Sequence, residues 1–321
     1  MGTLAAGRIP VDVLAIDVGG SSIKAARYDR DGRVLRAGRV PLRPLPPASE
    51  LVGEIVGLAG RLRGPDTAAV GVVTPGVIEE GVLRYAVNLG VRELPLRELV
   101  RQALGLPTAL GHDLAAAALA ESAASGEDLL FVGLGTGIAA GLVDGGRLWR
   151  GANGTAGELG HIRVVPGGER CGCGQSGCLE VYASAAGIAR RYAERTGRRG
   201  LDSAVIVERL ATDRDAAAVW HEAVEALADG LATAVQLLDP ATVVLGGGLA
   251  LAGPALFDPV RAGVRARLRW RTAPEIRPAL LGADASRAGA ALLAWRLLDD
   301  PALSTTENLT PANLIAKGAF R

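Results

Sequence analysis

One short pattern occurs twice in this chain, and it narrows the choice of fold more than any other part of the sequence. Residues 11–16 form an apolar run, VDVLAI, that reads as a buried strand. It enters a turn, Asp17-Val18-Gly19-Gly20-Ser21-Ser22, and residues 23–28 read as a second strand. Asp31-Gly32 is a hairpin signal, and residues 34–40 make a third strand. The order returns at 128–134 (DLLFVGL), Gly135-Thr136-Gly137, 138–143 and the turn Asp144-Gly145-Gly146. Two copies of strand, glycine-hydroxyl turn, strand and hairpin imply an internally duplicated α/β architecture. Each half then carries one turn able to cradle a phosphate.

The chemistry of those turns follows from their residues. A glycine-rich turn exposes several backbone N–H groups at once, which suits an anion. Asp17, at the strand end, offers a hard oxygen for Mg²⁺, held through water; the alternative is an ordinary tight hairpin. Gly135-Thr136-Gly137-Ile138-Ala139-Ala140 nearly matches the dinucleotide fingerprint, but that motif needs a helix next, and a strand follows. No G-x4-G-K-[ST] occurs. Near the C-terminus a third glycine run, Gly246-Gly247-Gly248, follows the apolar strand 242–245. Such a run lets a flat ring approach the backbone, as an adenine site requires, or it is a plain turn.

All three cysteines of the chain, Cys171, Cys173 and Cys178, lie in one stretch, GELGHIRVVPGGERCGCGQSGCLE, residues 157–180. His161, one of only three histidines, lies there too. Three thiols and an imidazole complete a closed tetrahedral zinc site, and four protein ligands leave no position for a catalytic water. Structural zinc is therefore the expectation, against three buried free thiols. Glu158 and Glu180 flank the ligands without being needed for them. A metal-stapled loop presenting two carboxylates suits a polyhydroxylated ligand, or the two are ordinary surface glutamates.

Between these landmarks the pattern reads as alternating helices and strands. Ser49 is placed to cap a helix over 50–62, residues 68–73 form a strand ending in GVVTPG, and 95–104 is a helix closed by Gly105. A short strand at 107–110 leads to His112-Asp113 and the alanine-rich helix 114–124. Asp113 is a capping carboxylate or a group placed to orient and deprotonate a substrate hydroxyl. Helices are expected at 181–196, 215–238, 259–268 and 285–298, with a loose polar tail after Pro301.

Composition excludes several classes. At 321 residues, 49% hydrophobic, the chain can bury a large core, and with 3% aromatics that core is built from Ala, Val and Leu. A net charge of +1 with interspersed signs gives no nucleic-acid footprint. No apolar run approaches a membrane span, and no signal-peptide pattern opens the chain. Three cysteines in metal-type spacing fit a reducing cytoplasm.

Taken in order, DVGGSSIK, GVVTPG, GTGIAAGLVDG, GELGH…CGCGQSGCLE and LGGG resemble the ROK family of sugar kinases and sugar-responsive repressors, and within it the bacterial glucokinases. The match covers the chain from Ile16 to about Leu298. The resemblance implies an actin-like, RNase H-like ATPase fold of two α/β lobes with a central cleft. It places a small lobe at 1–113, joined by the C-terminal helix of about 285–300, and a large lobe at 114–284 containing the zinc loop 161–178. It implies phosphoryl transfer from ATP to a hexose, glucose to glucose 6-phosphate, with Asp113 as base and with Mg²⁺ and structural zinc. Gly76, His112, Glu158, His161 and Glu180 would line the sugar. Asp17, Gly19, Gly20, Ser21, Lys24, Thr136, Gly137 and Gly247 would line the nucleotide. His161, Cys171, Cys173 and Cys178 would hold zinc, and the assembly would be a homodimer or homotetramer.

Two departures stand out. The family's Asn-Asp is His112-Asp113 here, which bears on which hexose fits, and DVGGSS stands for the commoner DxGGT. The alternatives are a kinase for fructose, N-acetylmannosamine or N-acetylglucosamine, and a non-catalytic sugar sensor without a DNA-binding arm.

Overall fold

The computed structural model describes residues 11–152 and 155–299. The chain divides into two compact units. One runs to Ala124 and resumes at Ser286; the other is Ser125–Ala285. The division thus falls after the alanine-rich helix, which belongs to the first unit, and not at 113. The sequence-expected tail lies outside the described residues.

In the first unit β1 (Asp12–Val18), β2 (Ser22–Tyr28) and β3 (Val34–Pro41) form an antiparallel meander. After α1 (Ala48–Leu62), β4 (Thr67–Thr74) pairs parallel with β1. Leu51, Ile55, Leu58 and Leu62 form the buried face of α1. Each such side chain contributes about 1.5–3 kcal/mol of transfer free energy. Pro47, not Ser49, takes the N-cap position, and no side chain caps this helix. The Pro47 carbonyl accepts the Glu50 and Leu51 amides, at 3.0 Å each, and so starts the helix ahead of the expected cap.

Three short strands follow that the sequence reading did not predict: β5 (Val77–Glu79), β6 (Val82–Ala86) and β7 (Val91–Leu94), an antiparallel sheet of their own. Then α2 (Leu96–Leu104) closes on Gly105, β8 (Thr108–His112) pairs parallel with β4, and α3 (Asp113–Ser125) begins at once. The five-stranded order is β3-β2-β1-β4-β8.

The second unit repeats this. β9 (Leu129–Leu134), β10 (Ile138–Asp144) and β11 (Arg147–Trp149) form the meander. The long loop then leads to α4 (Leu179–Ala183), α5 (Ala185–Thr196), α6 (Ser203–Glu208) and α7 (Arg214–Leu238). β12 (Thr242–Gly246), α8 (Pro254–Arg267) and β13 (Glu275–Pro278) complete the order β11-β10-β9-β12-β13. Strand for strand this is the order of the first sheet, so the duplication read from the sequence is present in the topology. The chain ends its described course in α9 (Ala285–Asp299), which belongs with the first unit. Its Arg287 donates to the Tyr28 hydroxyl of β2, and its Trp295 lies under Arg30.

Two expected helices differ in detail. The 181–196 helix is two, because Ser184 is extended (ψ 158) and its Oγ accepts the Gly187 amide at 2.9 Å. The hydroxyl ends one helix and caps the next. The 259–268 helix starts earlier, at Pro254, and contains Pro259. A proline inside a helix leaves the carbonyl four residues back without its amide partner. Here that carbonyl, Ala255 O, accepts the Trp220 indole N–H of α7 at 3.0 Å.

Candidate active site and metal centre

In each unit the parallel strands end on one edge, where α/β sheets present ligand sites. In the first unit, Asp17 of β1 is level with Val73 of β4, and Thr74 of β4 is level with His112 of β8. The same edge therefore carries the β1–β2 turn, Gly76 just after β4, and the His112-Asp113 pair. The turn is closed by the Gly19 amide donating to Ser22 O at 3.0 Å, which leaves Gly20 and Ser21 exposed at its tip. Lys24 stands opposite Asp17 in the β1–β2 ladder.

Asp113 is the first residue of α3, with a side chain 24% exposed. Its Oδ1 accepts the Leu114 amide at 2.7 Å and lies 3.2 Å from His112 Nδ1. Its Oδ2 has no partner among the described residues. One oxygen of Asp113 is thus tied down at the helix start, as a capping carboxylate would be, and the other is left without a protein partner among the described residues. The Leu114 amide also lies 3.2 Å from His112 Nδ1. When that nitrogen accepts from Leu114, the ring proton resides on Nε2.

In the second unit, Gly246 of β12 is level with Gly133 of β9, so the glycine run and the β9–β10 turn share an edge. The turn is closed by the Gly135 amide donating to Gly137 O at 3.0 Å, with Thr136 exposed. Gly247 has φ 86°, and a Cβ there would lie 2.4 Å from Leu134 O. Only glycine takes that backbone without strain, so the run is fixed by contact with β9 as well as by any ligand.

The loop from Gly157 to Glu180 is stitched to β10 by the Ala140 amide donating to Gly157 O at 2.7 Å. A 3-10 turn, Leu159–His161, then sets the histidine. The rest folds back on itself: Val164 and Val165 donate to Gly177 O, Gly177 to Glu169 O, and Cys171 to Gln175 O. Glu169 anchors the loop, because its carboxylate receives Arg190 at 2.5 Å and Arg191 at 2.7 Å, and its amide donates to the Tyr182 hydroxyl at 2.8 Å.

That folding gathers His161, Cys171, Cys173 and Cys178, whose ligand atoms lie within 4.8 Å of one another. Cys171 Sγ is 3.7 Å from His161 Nδ1, and Cys173 Sγ is 3.7 Å from Cys178 Sγ. Zn–S bonds of about 2.3 Å in a tetrahedron put neighbouring ligands about 3.7 Å apart, so the cluster fits zinc in both donor set and spacing. Burial pushes the Cys178 thiol up to about 12 and holds Cys171 above its ordinary value. The Cys173 thiol is lowered, chiefly by a backbone hydrogen bond from Gln175. Each of these two thiols has to lose its proton before it can serve as a metal ligand.

The carboxylates beside the cluster take distinct positions. Glu158 Oε2 lies 3.8 Å from His161 Nε2, so the ring presents Nδ1 to the thiols and Nε2 toward Glu158. Glu180 Oε2 accepts the Ile138 amide at 2.9 Å, which ties the residue after the cysteine run to the β9–β10 turn. Spacing alone gave no sign of this link, nor of Asn88, whose Cβ would lie 3.5 Å from one added at Gly20.

Residues 13–296 match the ROK family, and the chain belongs to that family. It is 32% identical to a glucokinase of Streptomyces coelicolor, covering 88% of this chain and 96% of the other. It is 33% identical to an N-acetylmannosamine kinase of Citrobacter koseri, covering 88% and 99%. Among solved structures it is similar to a ROK family glucokinase from Streptomyces griseus in complex with glucose and AMPPNP. There the identity is 33%, the TM-score 0.77, and the coverage 89% of this chain and 99% of that one. The fold is accordingly the actin-like, RNase H-like ATPase fold. No helix among the described residues is long and apolar enough to cross a membrane.

Proposed function

We propose that this chain is an ATP-dependent hexose kinase that converts glucose to glucose 6-phosphate. One observation carries the reading. In a ROK chain about one third identical to glucokinases, the GELGH…CGCGQSGCLE loop brings a Cys3His cluster together with Glu158 beside the outward nitrogen of His161. AMPPNP in the Streptomyces griseus relative supports ATP as donor.

The reaction needs a hydroxyl oxygen in line with the terminal phosphoryl group, a home for its proton, and donors for the phosphate charge. Asp113 takes the proton through Oδ2 as the sugar oxygen attacks the γ-phosphorus, and the bond to the β,γ-bridging oxygen breaks to release ADP. Tying Oδ1 to the Leu114 amide fixes the carboxylate's direction, which matters because positioning contributes most in such transfers. The amides and hydroxyls of Gly19, Gly20, Ser21, Thr136 and Gly137 hold the phosphates, with Lys24 adding charge, and Gly247 passes under the adenosine. Asp17 supplies the carboxylate for a magnesium ion, which neutralises charge on the phosphates when bound. Gly76, His112, Glu158, His161 and Glu180 hold the sugar, and His161, Cys171, Cys173 and Cys178 hold zinc, which shapes the loop and takes no part in the chemistry. The enzyme works in the cytoplasm.

The test is a coupled ADP-release assay with glucose, fructose, mannose, N-acetylmannosamine and N-acetylglucosamine. The proposal expects the highest kcat/KM with glucose; absence of turnover with every sugar would favour a sensor. A second reading, an N-acetylmannosamine kinase, is favoured by the 33% identity to such an enzyme. It expects N-acetylmannosamine to lead the panel.

A further inference from the structure

A cavity of about 640 Å³ opens in the second unit between the end of α5, the segment after α6 and the start of α7. None of the residues proposed above for sugar, nucleotide or zinc lines it. Its walls carry four guanidinium groups, Arg195, Arg198, Arg209 and Arg214, and two carboxylates, Asp213 and Asp215.

The carboxylates are already committed. Asp213 Oδ1 accepts the amides of Asp215 and Ala216, and its Oδ2 accepts the Tyr192 hydroxyl at 2.6 Å and Arg198 at 3.2 Å. Asp215 pairs with Arg195 at 3.5 Å, and Arg195 also reaches Glu222. The side chains of Arg209 and Arg214 have no hydrogen-bond or ion-pair partner among the described residues. Two guanidinium groups on this concave surface are thus left without an anionic partner among the described residues, and each has its full set of donors to offer. A guanidinium fork matches a phosphoryl group in two parallel hydrogen bonds. The volume falls within the roughly 300–1,000 Å³ of small-molecule sites. The chain as a whole carries a net charge of only +1 with the signs interspersed, which argues against a nucleic-acid surface.

We infer that this cavity binds a small phosphorylated molecule, with Arg209 and Arg214 as its principal contacts and Arg195 and Arg198 as its frame. The site is independent of the kinase reading, and the test keeps the two apart. Inorganic pyrophosphate is titrated calorimetrically into the full chain, with and without a saturating non-hydrolysable ATP analogue that occupies the nucleotide site. One pyrophosphate per chain is expected to bind with the analogue present. Arg209→Ala should weaken it by about tenfold or more, the usual scale for losing a charged hydrogen bond. The double variant R209A/R214A should abolish it, with turnover in the absence of pyrophosphate unchanged. R209K/R214K keeps the charge and guards against misfolding; it should bind, but more weakly than the parent. Inorganic phosphate and a hexose monophosphate, run as parallel titrations, identify whether a polyphosphoryl group or an ester is preferred, and either preference supports the site. No binding in the presence of the analogue, or parental affinity in both double variants, overturns it.

Discussion

Glu180 Oε2 accepts the backbone amide of Ile138 at 2.9 Å, joining two segments 42 positions apart. A Cβ at position 137 would lie 2.5 Å from that same oxygen, so glycine at 137 is what lets the carboxylate close on the turn. The residue that ends the cysteine run and the turn proposed for phosphate thus hold each other in place, and Glu180 Oε1 is left for a ligand. Glu180→Ala leaves the Ile138 amide without its acceptor. The expected loss is about 1–3 kcal/mol, read from chemical denaturation. Glu180→Gln keeps an acceptor and should lose less. An unchanged midpoint in Glu180→Ala would show that the bond carries no stability.

Zinc loading should be coupled to protons. The Cys178 thiol, at about 12 without a cation, and the raised Cys171 thiol are both protonated near neutrality, and each must lose its proton to bind metal. Titrating zinc into chelated protein in two buffers of different ionisation enthalpy should show about two to three protons released per ion. Affinity should fall as pH falls. Zinc uptake without proton release would contradict the ligand assignment.

The loop anchor gives a pH dependence of its own. Burial pushes the Glu169 carboxyl up, but hydrogen bonds from Arg191 and Arg190 outweigh it and hold the group below its ordinary value. A carboxyl lowered in the folded state stabilises above its unfolded value, about 4.3, and that contribution disappears as pH falls through the folded value. Glu169→Gln should therefore be less stable than the parent at pH 7, by under ~1 kcal/mol for a part-exposed pair. The gap should shrink as the pH is lowered below 4. A gap that widens in acid would reverse the sign assigned here.

How legible this was follows from the kind of signal each part leaves. The two meanders could be read because apolar runs flank turns of glycine and hydroxyl residues, and the metal cluster because cysteine occurs nowhere else. The β5–β7 sheet could not. Its strands are three to five residues long, too short for an alternating pattern to show, although Gly81 (φ 85°) and Gly90 (φ 67°) mark the turns between them. The break at Ser184 was hidden because a serine amid alanines continues a helical pattern until its hydroxyl finds an amide. Glu180 read as a sugar ligand, but its tie to Ile138 depends on tertiary packing that no local pattern encodes.

His112 is the position where this chain departs most from the expected pattern. With Nδ1 accepting from Leu114, the ring offers a ligand one N–H donor, whereas asparagine offers both a donor and an acceptor. His112→Asn should change the ratio of kcat/KM between glucose and N-acetylmannosamine by about tenfold or more, the scale at which one hydrogen bond or methylene discriminates. Unchanged ratios across the sugar panel would remove His112 from the specificity set.

The proposed chemistry rests on the free oxygen of Asp113. Steady-state turnover of Asp113→Asn with glucose and MgATP, alongside calorimetric glucose binding, tests it most directly. The substitution keeps the acceptor for Leu114 but cannot take a proton, so kcat should fall by at least ~10² while glucose affinity stays near that of the parent. A variant that turns over at the parental rate would contradict the assignment of the base and, with it, the mechanism.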